Sequence, residues 1–487
     1  MNVEHTASLS EQDLTDHFRA PVSDGVAAEG AATISAASSD AASAGLQIMA
    51  EGGNAFDAAI AAALVETVTL PMKCGLAGDV VALVRRADGR FEIVQSVGPG
   101  AAALDEGARH TVTGACSVGV PGAPHGYALL AESGRLPLSR VAAPAIAIAR
   151  DGFRWSVIAC ALTAEAGELL RRENGAVAYL PGGRPPETGE SMTLPGLAAL
   201  LEAFVTQREE LFFGDIGAQV AARVQQGGGF LRAQDLRCRP GVVIAPDVTD
   251  LGAGISLMTS PAPTHGAHLA RLVKELAGHW GDQALVLQTY LAEQRRRQQE
   301  GTSLVTACDR DGNGVVLIHS NSFPQYGAGI VVEPWQLVLN NRPGRGFSIN
   351  AAPAHPNAPK AGRVPRTTLH VWAATSGKDI WLGATPGGVN QAPWNLQVIC
   401  GLLAGERRLD RLVTAPLWGF ARDGALEIEA DHALAQNSET AASQARIVPP
   451  LSMRSVEQIM HLRTDGARRI SAADPRTGAR ALALPAT

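Results

Sequence analysis

Cysteine is sparse in this chain of 487 residues, and the six thiols (Cys74, Cys116, Cys160, Cys238, Cys308, Cys400) form neither a CxxC pair nor a zinc-ligand spacing. A disulfide scaffold has no support, and the pattern fits reduced thiols in a cytoplasm. The twelve histidines contain no HExxH and no other helical pair backed by a carboxylate, so no metal centre is expected. Neither GxGxxG after a strand nor GxxxxGK(S/T) occurs, so no cofactor is implied. Positive charge is also short: 41 Lys and Arg stand against 47 Asp and Glu, a formal net charge of −6. The one tight basic run, Arg295 to Arg297, is too small for a nucleic-acid footprint. No apolar run approaches the roughly 18 residues that a membrane span needs; the longest is Ala58 to Val65. The first 24 residues carry Glu4, Glu11, Asp13, Asp16 and Asp24 without an apolar centre, which does not fit a secretory signal and again favours the cytoplasm.

What is present is a globular composition, 46% hydrophobic and 18% charged, enough for one large layered domain or two smaller ones. After a loose polar start, Asp40 to Glu51 reads as a helix closed by Gly52-Gly53, and Ala55 to Val65 as a second, Ala-rich and buried helix. Val80–Arg85 and Phe91–Val97 read as a hairpin, and helices dominate from about 125 to 236. An abrupt polar segment, Glu293 to Glu300, precedes the runs Leu304–Ala307 and Gly314–Ser320, a second hairpin around Asp309-Arg310-Asp311-Gly312-Asn313. Strand pairs are expected at Gly329–Val332 with Gln336–Leu339, and strands at Leu369–Ala374 and Asp379–Gly383. Helices are expected near Asn395–Leu403 and Val456–Leu462. Strands thus gather after residue 301 and helices before it, with both halves sharing one core.

Three places carry candidate chemistry. Gly301-Thr302-Ser303 lies where a polar segment meets a strand. If the bond before Thr302 is cut, its hydroxyl becomes a nucleophile with its own α-amine as base; otherwise Thr302 just begins a strand. Gly387-Gly388 follows a strand end, where bare backbone N–H groups can face an oxyanion or form an ordinary turn. Arg342 and Arg345, on the Gly-rich stretch Asn340 to Gly346, offer guanidiniums for a carboxylate or for solvent.

Taken in order, Glu51-Gly-Gly-Asn-Ala-Phe-Asp57, Cys74-Gly-Leu-Ala-Gly-Asp79, Ser117-Val-Gly-Val-Pro-Gly122, Gly301-Thr-Ser303, Asn340-Asn341, Pro386-Gly-Gly388 and Ala473-Asp-Pro-Arg476 resemble the gamma-glutamyltransferase family of N-terminal nucleophile hydrolases. The resemblance runs from about Ala37 to Arg480. It implies an αββα sandwich made as one precursor that cuts itself between Gly301 and Thr302. A large subunit, 1–301, and a small one, 302–487, would then share an intertwined core, with a higher oligomer open. It further implies Thr302 as nucleophile and Ser320 as the hydroxyl that hydrogen-bonds it. Gly387 and Gly388 would form the oxyanion hole, with Asn321 or Ser322 at a substrate-contacting position. The family's usual anchors for a γ-glutamyl group are absent: Gln95 to Gly100 contains no Arg, no acid follows Asn340-Asn341, and Thr367-Thr368 stand where two serines are usual. The expected substrate is therefore a small carboxylated amide without an ammonium group, held by Arg342, Arg345, Thr367 and Thr368. Alternatives are carbon–carbon bond hydrolysis releasing an oxalyl-type group, a genuine gamma-glutamyltransferase, and an inactive scaffold.

Overall fold

A computed structural model of the protein describes residues 25–104, 110–293, 302–436, 445–466 and 468–486. Gly301 and most of the polar segment before it lie outside these residues. Two glycines and an asparagine end the first helix, α1 (Ser39–Ala50), and begin the second, α2 (Ala55–Thr69). Asn54 accepts from the amides of Phe56 and Asp57 while Asp57 accepts from Asn54, a reciprocal cap. Gly53 allows the close approach: a Cβ there would stand 2.8 Å from the Ile48 carbonyl oxygen. All fifteen residues of α2 are buried, as its alanine content predicts.

Helices α1 and α2 cover the first of two seven-stranded antiparallel sheets. Its strands are β1 (Ala32–Ala36), β2 (Asp79–Arg85), β3 (Phe91–Ser96), β4 (Val242–Ile244), β5 (Ser303–Cys308), β6 (Gly314–Ser320) and β7 (Arg480–Leu484), in the order β7-β1-β5-β6-β2-β3-β4. The second sheet includes Trp372–Ser376, Asp379–Ala384, Gln458–Arg463 and Arg469–Ala473, beside Ile255–Thr259. Alternation of side chains along the strands separates the layers. Val305, Ala307, Val315 and Leu317 pack toward α2, whereas Leu304, Cys308, Val316 and Ile318 meet Leu382, Met460 and Leu462 between the sheets. Helices Gly266–Glu275 and Gln391–Leu403 cover the far face of the second sheet. The result is the four-layer αββα arrangement, with both sheets drawing strands from each side of residue 301.

Two expectations are corrected. Val456–Leu462 is not helical: Gln458–Arg463 is a strand hydrogen-bonded on both edges, to Asp379–Ala384 and to Arg469–Ala473. Both its faces are buried, so its apolar run lacks the alternation that marks a half-exposed strand. Strands are also not confined to the second half, since Val242–Ile244, Asp247–Gly252 and Ile255–Thr259 extend the two sheets at their edges.

Polar side chains tie the sheets together. Gln458 Nε2 donates to the Leu304 carbonyl (2.8 Å) and its Oε1 accepts from Ser35 (2.9 Å), which also bonds Thr306 (2.6 Å). The motif Asp474-Pro-Arg476 forms a fully buried clamp: Arg476 is bidentate to Glu429 (3.2 and 2.8 Å) and bonds Asp474 (2.9 Å) and two main-chain carbonyls. Burial pushes the Asp474 carboxyl up to about 6, with Arg476 pulling against it. Replacing Arg476 leaves two buried carboxylates uncompensated, so Arg476→Met is expected to lose about 3–5 kcal/mol of stability. Urea unfolding beside wild type checks this, and Arg476→Lys should recover only part because it loses the bidentate grip.

Candidate active site

The hairpin β5–β6 positions the site. Ser303 pairs with His319, so the same register carried one residue outward sets Thr302 against Ser320. Leu304 faces the space between the sheets, and alternation puts Thr302 on that side as well. Thr302 is 2% exposed. Asp309 shapes the far end of the hairpin by accepting from the amides of Asp311 and Asn313 and from Asn313 Nδ2, and it also caps α2 through the amide of Ala55.

Beyond Ser320 the chain turns sharply. Ser322 has φ 72° and its amide donates to Ser320 Oγ (2.8 Å). The segment Pro71–Asp79 lies against this turn: Lys73 accepts from the amide of Asn321 (2.9 Å) and Met72 from that of Tyr326 (2.9 Å). Gly78 makes the contact possible, since a Cβ there would stand 2.5 Å from the Ser320 carbonyl oxygen. The motif Cys74-Gly-Leu-Ala-Gly-Asp79 is thus a backbone fit to the end of β6.

From the second sheet, Asp379–Ala384 ends in Thr385-Pro386 and the Gly387-Gly388 turn, followed by helix Gln391–Leu403. Gly387 has φ 142° and Gly388 φ 62°, and a Cβ on Gly387 would fall 2.4 Å from Trp394 Cζ3. Only glycine fits there, and the helix N-terminus behind the turn favours negative charge. Gln391, the first residue of that helix, donates from Nε2 to Thr302 Oγ1 (3.2 Å). Thr302 and Gly387 line one cavity of about 1400 Å³ together with Lys73, Glu165, Phe323, Arg422 and Arg454.

Under β6 lies a buried polar chain. Glu66, from α2, accepts from the amide of Ala37 (2.7 Å) and bonds His319 Nε2 (2.7 Å), whose Nδ1 bonds the Tyr127 hydroxyl (2.7 Å). Glu66, Cys74 and His319 form a group whose ligand atoms lie within 4.8 Å of one another. Both imidazole nitrogens are already engaged and burial pushes the Cys74 thiol well up, so a hydrogen-bonded network suits these residues better than a metal.

The structure brings Thr302 to the cavity with Gly387 and sets Ser320 across the register from Thr302. It does not bring the expected substrate contacts there. Arg342 is fully buried and pairs with Asp79 (2.7 Å), and Arg345 stacks on Phe323, its guanidinium 5.7 Å from the ring centroid. Asn321 donates to the Pro71 carbonyl (3.3 Å); Ser322, Thr367 and Thr368 are buried, and none of these lines the cavity. An anion grip by Arg342 and Arg345 is therefore replaced by an internal ion pair and a ring contact. Gln391, Lys73 and Glu66 are found only in the structure, because each lies just outside the helices and motifs that the sequence marks.

Residues 41–284 and 269–484 match the gamma-glutamyltranspeptidase family. The chain belongs to that family. Relatives in it include the acylase ACY 1 proenzyme of Pseudomonas sp. strain SE83, 26% identical over 80% of this chain and 82% of that protein. Another is the glutathione hydrolase-like YwrD proenzyme of Bacillus subtilis, 25% identical over 80% of this chain and 85% of that one. Among solved structures, a cephalosporin acylase from Bacillus halodurans is 24% identical and superposes over 96% of this chain and 98% of its own with a TM-score of 0.81. The fold is that of the N-terminal nucleophile hydrolases, and the family consists of hydrolases and acyl transferases.

If the Thr302 hydroxyl is the attacking group, Gln391→Leu, which removes its donor, should slow the chemical step by about fivefold to tenfold, the worth of one hydrogen bond. Steady-state kinetics should place that loss in kcat with KM unchanged.

Proposed function

We propose that the protein is a self-processing amidohydrolase or acyltransferase that works through an ester on Thr302. The single observation that carries this reading is the position of Thr302: it heads β5, is buried between the sheets, lines the large cavity beside Gly387 and is touched by Gln391 on its hydroxyl. A threonine that merely began a strand would need none of this. In the precursor, the Thr302 hydroxyl attacks the Gly301 carbonyl, the acyl group moves from nitrogen to oxygen, and water hydrolyses that ester. This frees the Gly301 carboxylate and the Thr302 α-amine. The subunits are then residues 1–301 and 302–487, held together by sheets that each take strands from both.

In the mature enzyme the α-amine takes the hydroxyl proton as oxygen attacks the substrate carbonyl. The tetrahedral oxyanion falls at the Gly387-Gly388 turn in front of the helix N-terminus, where fixed N–H dipoles need no reorganisation. Collapse expels the amine with the proton, and water or an acceptor amine releases the acyl group. The names of the relatives as proenzymes support the self-cleavage step. A small carboxylated amide remains the substrate class, because the chain has no Arg in Gln95 to Gly100 and no acid after Asn340-Asn341 to hold a γ-glutamyl group. The cavity leaves ample room for the amine half or for an acceptor.

Intact mass under denaturing conditions tests the reading. Wild type should give two fragments meeting at Gly301/Thr302, and Thr302→Ala one uncut chain. Cleavage that persists in Thr302→Ala would assign the cut to another agent and remove the nucleophile.

A further inference from the structure

We infer that Lys73, and not the arginines of the Asn340–Gly346 stretch, receives the carboxylate of the substrate's acyl half. The inference rests on the Thr302 reading and adds to it the residue that selects the anion.

Lys73 is 8% exposed and lines the same cavity as Thr302. Its carbonyl is hydrogen-bonded to the amide of Asn321, the residue after the Ser320 that faces Thr302 across the hairpin register. The backbone carrying this ammonium is therefore fixed one strand away from the nucleophile. The other cations of the cavity wall are all ion-paired. Arg422 and Arg454 share Glu165, Arg446 pairs with Asp423 (2.9 Å) and Glu427 (3.3 Å), and Arg184 pairs with Glu190 (2.9 Å). Lys73 has no carboxylate within ion-pair distance among the described residues, and Glu66, which acts on it at longer range, is bound to His319 and the amide of Ala37.

A desolvated ammonium without a counter-ion is costly. Burial holds the Lys73 ammonium below the ordinary lysine range, and Arg454 pushes in the same direction. An entering carboxylate supplies the missing charge and forms a charge-assisted hydrogen bond in a low-dielectric site. A neutral amide in its place would gain neither. The outer wall, where arginines are matched by Glu165, Asp423 and Glu427, offers no comparable excess of charge. Selection thus operates at the depth of the nucleophile, which suits a short acyl group bearing its carboxylate near the scissile carbonyl.

The test uses the full-length protein, Lys73→Met and Lys73→Arg, with oxamate, malonamate, succinamate and glutaramate as probes, each beside its neutral diamide. Titration calorimetry reads binding, steady-state kinetics separates KM from kcat, and intact mass reads self-cleavage. Wild type should bind at least one amido acid about tenfold or more tightly than its diamide, the scale of one charged hydrogen bond. Lys73→Met should lose that preference, the loss falling in KM for the amido acid, and Lys73→Arg should keep most of it. Equal binding of acid and diamide by wild type overturns the inference, as does undiminished preference in Lys73→Met. A loss confined to kcat also overturns it, since Lys73 would then serve the reaction step. If Lys73→Met does not fold, Lys73→Gln carries the same test: loss of the acid-over-diamide preference is expected, and an undiminished preference overturns the inference. A wild-type chain that stays uncut removes the Thr302 reading and leaves the calorimetric comparison intact.

Discussion

The register of one hairpin carries the rest of the site. With Ser303 opposite His319, successive residues of β5 and β6 alternate between the helix-covered face and the space between the sheets. His319 consequently drops into the buried chain with Glu66 and Tyr127, while Ser320 stays on the side of Thr302. A slip of one residue would exchange those faces and put an imidazole opposite Thr302 in place of Ser320. The hairpin is held against such a slip by Asp309 at its far end, by α2 behind it, and by Gln458 on the Leu304 carbonyl from the opposite sheet.

Glycine is used at this site for approach as much as for conformation. Gly78 lets the Pro71–Asp79 segment lie on the Ser320 carbonyl, which carries Lys73 into the cavity. Gly387 bends the strand end toward the same space with no room for a Cβ beside Trp394. Strand and loop from widely separated parts of the chain therefore meet at backbone distance, with no room for a Cβ between them. The buried charges serve a different purpose. Arg342 with Asp79 and Arg476 with Glu429 and Asp474 are buried ion pairs that fix loops, whereas Lys73 lines the cavity with no carboxylate in ion-pair distance among the described residues.

Much of this was legible in the sequence. The first two helices, divided by Gly52-Gly53, the hairpins around Ala87-Asp88-Gly89 and Arg310-Asp311-Gly312, and the strand that leads to the Gly387-Gly388 turn are signalled by local turn chemistry and by periodicity. Gln458–Arg463 was not, because a strand buried on both faces shows the same continuous apolar run as a buried helix. Val242–Ile244 and Asp247–Gly252 lie at sheet edges, with many exposed residues and little pattern. Within the site, Thr302 and Gly387-Gly388 stand in recognisable motifs, but Gln391 and Lys73 act through tertiary approach. Arg342 and Arg345 looked available because a Gly-rich stretch suggests an open loop. Asp79, far away in sequence, takes one guanidinium and Phe323 the other.

The central claim is that the mature protein presents Thr302 as an N-terminal residue with its amine and hydroxyl both free. Periodate cleaves such a 1,2-amino alcohol to an aldehyde, which an aminooxy reagent then captures. Treating the denatured, purified protein this way and weighing its fragments should label the fragment that begins at Thr302 and no other. Absence of an aldehyde from every fragment, with the chain still 487 residues long, would contradict the account.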